Sequence, residues 1–391
     1  MNYRQWPPAL PPNYLNSLMK MMSMRTYSLI SFFFLTTFLT LAQDKLEQPR
    51  KKLEAGNFKE ANAELTRILN AEPRNKEALN LRGEARAGLG DYYGAISDFT
   101  YALEVDSTFA PALNNRGLAK MNLGDDQAAI LDLDKAIRFN QKFAEAYTNR
   151  GLAKYNIEDL QGAYFDFSKA LELGPPDADK FFNRGVVKSE LGEFVSAIDD
   201  YTKAIELDKN DPTLYNYRGI AHYSLGNLDK AIADYDQAVK LDAKDPVVFE
   251  NRALARTALE DYNGALEDYN KAISLDDQQP ETYYLRGIVH YYLDDHDSAI
   301  NDYTKAIALD DSNPIYFDNR ALSKAAKEDY AGAVEDFTKS IELYPNDPET
   351  YYQRALAKIN LNNKYDACLD LKRAEELGSE EAKADLKKHC K

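Results

Sequence analysis

The sequence predicts an all-α solenoid of about ten stacked helix–turn–helix units. Three observations predict it: a 34-residue interval, an apolar stripe at helical spacing in each half of that interval, and turn chemistry at both joints. The interval is visible in the hexapeptide NRGLAK, which stands at 115–120 and again at 149–154. An arginine recurs every 34 residues from Arg82 to Arg354. An alanine follows each by thirteen residues, from Ala95 to Ala367, and an aspartate by sixteen, from Asp98 to Asp370. Nine copies are in strict phase. A looser tenth precedes them, with Gly56, Phe58, Ala61 and Pro73 in register. Counted from position 1, the copies begin at Ala42, Lys76, Ala110, Ala144, Ala178, Pro212, Pro246, Pro280, Pro314 and Pro348, so the array occupies 42–381 between a leader, 1–42, and a tail, 379–391. No separate catalytic domain is expected.

One copy, 212–245, shows why each half is a helix. Leu214, Ala221 and Leu225, at positions 3, 10 and 14, form one stripe, and Ala231, Ala238 and Leu241, at positions 20, 27 and 30, form another. Gly226-Asn227 stops the first helix and starts the second, while Asp211-Pro212 and Asp245-Pro246 place a capping side chain before a proline suited to a first helical turn. A helical pair this small cannot bury two stripes alone and must stack on its neighbours.

These positions resemble the tetratricopeptide repeat (TPR) pattern: Tyr215 at position 4, Gly219 at 8, Ala231 at 20, Tyr235 at 24 and Ala238 at 27. The resemblance covers nearly all of 42–381 and implies a right-handed α-solenoid, and the charged tail, 379–391, is expected to form a C-terminal capping helix over the last repeat. Two departures stand out. Position 7 is arginine where the family has leucine, and the proline of position 32 remains only as Pro73, Pro175 and Pro345.

The arginine calls for a partner, because positions 7 and 23 both lie on packing stripes. Arg116 shares one with Ala112, Ala119 and Leu123, and Asp132 shares the other with Ala129, Ala136 and Phe139. A buried unpaired charge is costly, so Arg116, Arg150, Arg184 and Arg218 are expected to neutralise Asp132, Asp166, Asp200 and Asp234 in a structural ion-pair ladder, within or between repeats. Nine equivalent catalytic or metal-binding aspartates along one array are not expected. His222 and His290, at position 11 where other copies carry lysine or arginine, read as drift between copies.

Cys368 stands at position 21 of the last repeat and Cys390 in a tail charged like a helix, with Glu380 and Glu381 first and Lys387 and Lys388 last. In an oxidising compartment the two are expected to form a disulfide; otherwise they are buried thiols. A metal site from His389, Cys390 and Cys368 lacks a fourth ligand and ordinary spacing, so neither metal nor cofactor is expected. The segment 24–42 has Arg25, an apolar run from Leu29 to Leu41 and small residues suited to cleavage, which reads as a secretory signal with a start at Met21, Met22 or Met24. An exported, periplasmic or secreted, protein is expected, the alternative being a membrane anchor through an uncleaved leader.

The family resemblance assigns positions 2, 5, 6, 9, 12 and 13 of each first helix to the concave binding face. Position 6 carries Asn115, Asn149, Asn183, Asn251 and Asn319, whose amides can both donate and accept and so can hold a peptide backbone. Beside them stand Tyr155, Tyr223 and Tyr291 at position 12, with Phe182 and Tyr284 at position 5. The row is similar to the asparagine ladder in the TPR portion of O-linked N-acetylglucosamine transferase. The carboxylate clamp of chaperone-binding TPR domains is absent, since position 9 is Leu118, Leu152, Val186 or Ile220. Without the leader, 45 basic residues face 64 acidic ones, a formal −19, which disfavours nucleic acid and anionic lipid and favours a basic or neutral protein or peptide. The sequence therefore describes a non-enzymatic scaffold binding polypeptide in its groove. The alternative is a module that binds glycan or peptidoglycan through the tyrosines.

Overall fold

The computed structural model describes residues 45–390; the leader and its signal segment lie outside the described residues. Among the described residues every regular element is an α-helix, 21 in all, from Glu47–Glu54 to Glu380–His389. They group into two compact units, one ending at Leu191 and one beginning at Gly192. The first holds the helical pairs Glu47–Glu54 with Phe58–Ala71, Lys76–Gly88 with Tyr92–Val105, Ala110–Met121 with Asp126–Phe139 and Ala144–Asn156 with Leu160–Leu173, then Ala178–Glu190. The second opens with Phe194–Leu207 and continues through Pro212–Ser224 with Leu228–Leu241, Pro246–Ala258 with Tyr262–Leu275, Pro280–Tyr292 with His296–Leu309, Pro314–Ala326 with Tyr330–Leu343 and Pro348–Asn360 with Lys364–Glu376, ending on Glu380–His389. In each unit every helix packs on its sequence neighbours, the one-dimensional stacking of an α-solenoid.

The joints follow from local chemistry. The Asp211 carboxylate accepts from the Thr213 amide at 2.8 Å, with Pro212 in the first turn. Between the two helices of every repeat, position 15 is left-handed: Gly56, Gly90, Gly124, Gly192 and Gly226, but also Glu158, Glu260, Asp294, Glu328 and Asn362, all with φ between 61° and 81°. No atom lies within 4 Å of where a Cβ would sit on Gly226, so a side chain here meets backbone strain and not a clash. Glu260→Gly and Glu328→Gly are each expected to stabilise the chain by about 0.5 kcal/mol in urea titrations, the relief of strain exceeding the added chain entropy. A loss in both would refute the strain argument.

The core is built from small residues and a large buried side chain at position 24, an aromatic ring in most repeats and Leu65, Leu133 or Leu371 in the others. Ala231, Tyr235 and Ala238 are at most 1% exposed. A Cβ on Gly219 would stand 2.6 Å from Cε1 of Tyr235, so position 8 must be small for the ring of position 24 to cross the first helix. One expectation is corrected. Position 14 leaves the core, with Leu123 and Leu225 about 40% exposed, because the first helix has reached its C-cap there; Phe139 at position 30, the last helical residue, is 46% exposed.

The final helix closes the stack. Ser379 caps it by accepting from the Ala382 amide at 3.1 Å, and Ala382 is buried with Ala355, Leu371 and Ala374 of the last repeat. Cys368 and Cys390 are joined by a disulfide, their Cα atoms 5.7 Å apart.

Candidate binding face

The ladder arginines tie the repeats together. Arg116 donates from Nε and Nη2 to the two oxygens of Asp132 at 2.8 and 2.7 Å, within its own repeat. The same fork joins Arg82, Arg150, Arg218, Arg252, Arg286, Arg320 and Arg354 to the aspartate sixteen residues on. The remaining Nη1 reaches position 25 of the preceding repeat: Arg116 to Thr100, Arg150 to Asp134, Arg184 to Ser168, Arg218 to Thr202 and Arg252 to Asp236. From Arg150 onward each ladder arginine also lies over the ring of position 4, Arg150 over Tyr147 and Arg184 over Phe181 among them, whereas Arg82 and Arg116 have Leu79 and Leu113 there. Pairing is thus within the repeat for aspartate and between repeats for the third arm.

Sequence reasoning missed a second cation. Position 11 pairs with the same aspartate: Arg86 with Asp98 at 3.0 Å, Lys120 with Asp132 and Arg256 with Asp268 at 2.7 Å, Lys154 with Asp166 at 2.9 Å. Burial opposes the ionisation of Asp132, yet hydrogen bonds from Arg116 and Lys120 outweigh it and hold its carboxyl below the usual range. His222 and His290 therefore stand where this second cation belongs. Burial pushes the His222 imidazole down, with Arg218 and Lys230 adding to it and Asp234 opposing. The signal was present in the recurrence of lysine and arginine at position 11.

The asparagines are half-buried and largely turned on one another. Asn115 donates to Glu84 at 2.8 Å and to Asn80 at 3.2 Å, while its own oxygen accepts from Asn114 at 3.1 Å. Asn149 donates to Asn114 at 2.9 Å and Asn251 to Asn216 at 3.0 Å, so position 6 bonds to position 5 of the preceding repeat. Asn319 bonds back to the Ile315 carbonyl, and Asn183 has Thr148 where the others find an asparagine. The amides thus cross-link first helices, which leaves fewer groups for a ligand than the sequence suggested.

The aromatic residues fall in two sets. In the first unit Tyr155 packs beside Phe167 and Val187, and Phe182 is half-buried. In the second, Tyr223 and Tyr291 are 37% and 38% exposed, and Tyr284 lies 6.0 Å from the ring of Tyr303 and 5.1 Å from that of Tyr316. Carboxyl groups missed by sequence reasoning share this face. Glu250 accepts from the Thr282 hydroxyl and Asp318 from Thr350 at 3.2 Å, and neither makes an ion pair among the described residues. Burial raises both, Asp318 to about 6 with Asp347 adding to the effect.

Because Asp318 holds its proton more tightly folded than unfolded, its contribution to stability falls as pH rises from about 4 to 6 and is flat above. Asp318→Asn is expected to stabilise the chain at pH 7.5 by about 1 kcal/mol, discounted for partial exposure, with less than half of that gain at pH 4.5. Equal gains at both pH values in chemical denaturation would exclude desolvation of this carboxylate.

Among the described residues no group of three His, Cys, Asp or Glu side chains is placed to hold a metal ion. No described helix is long and apolar enough to cross a membrane.

Fold and ladder together define an α-solenoid of helix–turn–helix repeats. Sequence profiles described as TPR repeat match residues 188–226 and 253–294, and others described as tetratricopeptide repeat match 50–111, 110–143, 212–245 and 280–313. The chain belongs to the tetratricopeptide repeat family, a family of protein–protein interaction scaffolds that are typically not enzymes. Similar solved structures include YrrB, described as a TPR protein with an unusual peptide-binding site (26% identity, 46% of this chain and 92% of that one, TM-score 0.42). Others are a tetratricopeptide repeat protein from Parabacteroides merdae (19%, 63% and 98%, 0.48) and yeast Tom70 (16%, 90% and 91%, 0.42). No curated protein sequence matches the chain.

Proposed function

We propose that the protein is a non-enzymatic scaffold that binds polypeptide partners on the face formed by its first helices. The observation that carries this reading is how the polar groups divide. The arginines and position-11 cations are engaged by ladder aspartates, whereas the first-helix face keeps partly exposed phenols and carboxylates that no cation neutralises. Such a surface offers aromatic area and hydrogen-bond acceptors to an extended chain.

The test is to pan a displayed library of random dodecapeptides on the purified chain carrying a photo-crosslinking residue at Tyr291 or, as a control, at exposed Glu335 on a second helix. Enriched peptides are expected to crosslink at 291. Crosslinking only at 335, or no enrichment, overturns the reading, and retention of glycans in place of peptides assigns the face to carbohydrate.

Export belongs to the same proposal. It rests on the segment 24–42 and on the Cys368–Cys390 disulfide, which suits an oxidising compartment. The protein isolated from its host is expected to begin near residue 42; a mass that includes Trp6 overturns it.

A further inference from the structure

The acidity of the chain is not evenly spread. Residues 45–191 carry 21 basic against 23 acidic side chains, whereas 192–391 carry 24 against 40, a formal −16. The exposed tyrosines of the candidate face lie in this same second unit. Its first helices lie side by side, as their cross-repeat hydrogen bonds show: Thr282 to Glu250, Tyr316 to Glu281 at 3.0 Å, and Thr350 to Asp318 at 3.2 Å.

Beneath that face runs a row of phenols. Tyr235, Tyr269 and Tyr303, at position 24, are each at most 1% exposed, and position 12 above them is Tyr223, Thr257 and Tyr291. Tyr269 finds a hydrogen-bond partner in Thr257. Where Tyr291 replaces that threonine, the Tyr303 hydroxyl is buried with no hydrogen-bond partner. The Tyr303 ring crosses Gly287, with Cζ 3.1 Å from where a Cβ would stand, so its hydroxyl end reaches the first helix, beside Tyr284 and Tyr291. Burial opposes its ionisation, and the nearby phenols of Tyr284 and Tyr291, the Asp302 carboxylate and Tyr292 add to the effect. The aromatic and acidic surface above it, with Tyr223 and Tyr291 partly exposed and Glu250 and Asp318 making no ion pair among the described residues, suits a ligand that brings positive charge.

We propose that the first-helix face of the second unit is a cation-reading strip for an extended lysine- or arginine-bearing segment of a partner protein. Its basic side chains lie over the rings of Tyr223 and Tyr291 and against the carboxylates of Glu250 and Asp318. Cation–π contact and unscreened carboxylates act together at such a site, and the charge of the unit steers encounter. The inference rests on the scaffold reading and names the partner chemistry for that face.

The experiment uses the full chain and three fluorescein-labelled dodecapeptides of glycine and serine with arginine, glutamine or glutamate at every third position, followed by anisotropy. The arginine peptide is expected to bind about 10-fold tighter than the glutamine peptide, and tighter in 50 than in 300 mM salt. Glu250→Gln with Asp318→Asn removes two partly buried charges without changing shape and is expected to weaken it about 5-fold or more. The control Glu267→Gln with Glu335→Gln changes net charge equally on exposed second-helix positions and is expected to leave binding within about 2-fold. Equal weakening by both pairs, or equal affinity for the arginine and glutamine peptides, overturns the inference. If panned peptides of other composition still crosslink at 291, the scaffold reading survives this failure; if no peptide engages the face, both fall.

Discussion

Asp268→Ala is expected to cost about 3 to 5 kcal/mol in urea denaturation followed by helical circular dichroism, the largest effect of any single side chain considered. Asp268 is 3% exposed and receives Arg252 through both Nε and Nη2, and Arg256 through Nη1 at 2.7 Å. Removing it leaves two guanidinium groups facing a void in the stack. The loss reflects stranded charge more than the value of the pair, so Arg252→Met combined with Asp268→Leu is expected to be much less damaging than the sum of the two single changes. The coupling in that double-mutant cycle should exceed about 2 kcal/mol. A cycle between Asp268 and Arg286, whose fork holds Asp302, should be additive within about 0.5 kcal/mol. Additivity in the first cycle would sink the account of the ladder. Measurements should stay above pH 5, because the Asp132 carboxylate, held against burial below its usual range by Arg116 and Lys120, contributes stability that is lost as pH falls through its lowered value.

The second large effect is expected at the other end of the second unit. Cys368 and Cys390 close a loop of 22 residues, for which loop-closure entropy gives about 3 kcal/mol. Reduction, or Cys390→Ser, should speed amide exchange across Glu380–His389 by about 100-fold and expose Ala374 and Leu371, while Pro212–Ser224 exchanges as before. Unchanged exchange in the final helix would mean that Ser379 and Ala382 hold it without the bond.

Much of this was legible in the sequence because helical phase is a property of one segment. Position 7 could be placed on a packing stripe from Ala112 and Ala119 alone, and an arginine there demanded an anion. The register between segments was not legible in the same way. That Arg116 also reaches Thr100, or that Asn149 meets Asn114, depends on how one repeat sits on the last, a relation that no period within a single helix encodes. The asparagines were read as ligand groups for the same reason. Their neighbour at position 5 is 35 residues away in sequence and one helix away in space. Position 14 misled through a boundary effect, since Leu123 keeps the stripe's spacing but stands beyond the last helical residue, Met121. One relation was in plain view: Tyr201, Tyr235, Tyr269 and Tyr303 coincide with hydroxyl residues Ser189, Tyr223, Thr257 and Tyr291 twelve residues earlier, while most other copies have neither.

The ladder has a further consequence, for how long such an array can be. Arg252, Arg256 and Asp268 all lie inside one copy, 246–279, so excising or duplicating that copy would strand no carboxylate and no guanidinium. Only the third arm crosses a boundary, and its acceptors at position 25 are already interchangeable among Thr, Ser, Asn and Asp. Copy number can therefore change by unequal recombination without an electrostatic penalty. The span of partner a descendant could reach would then be altered 34 residues at a time, with every surviving rung intact.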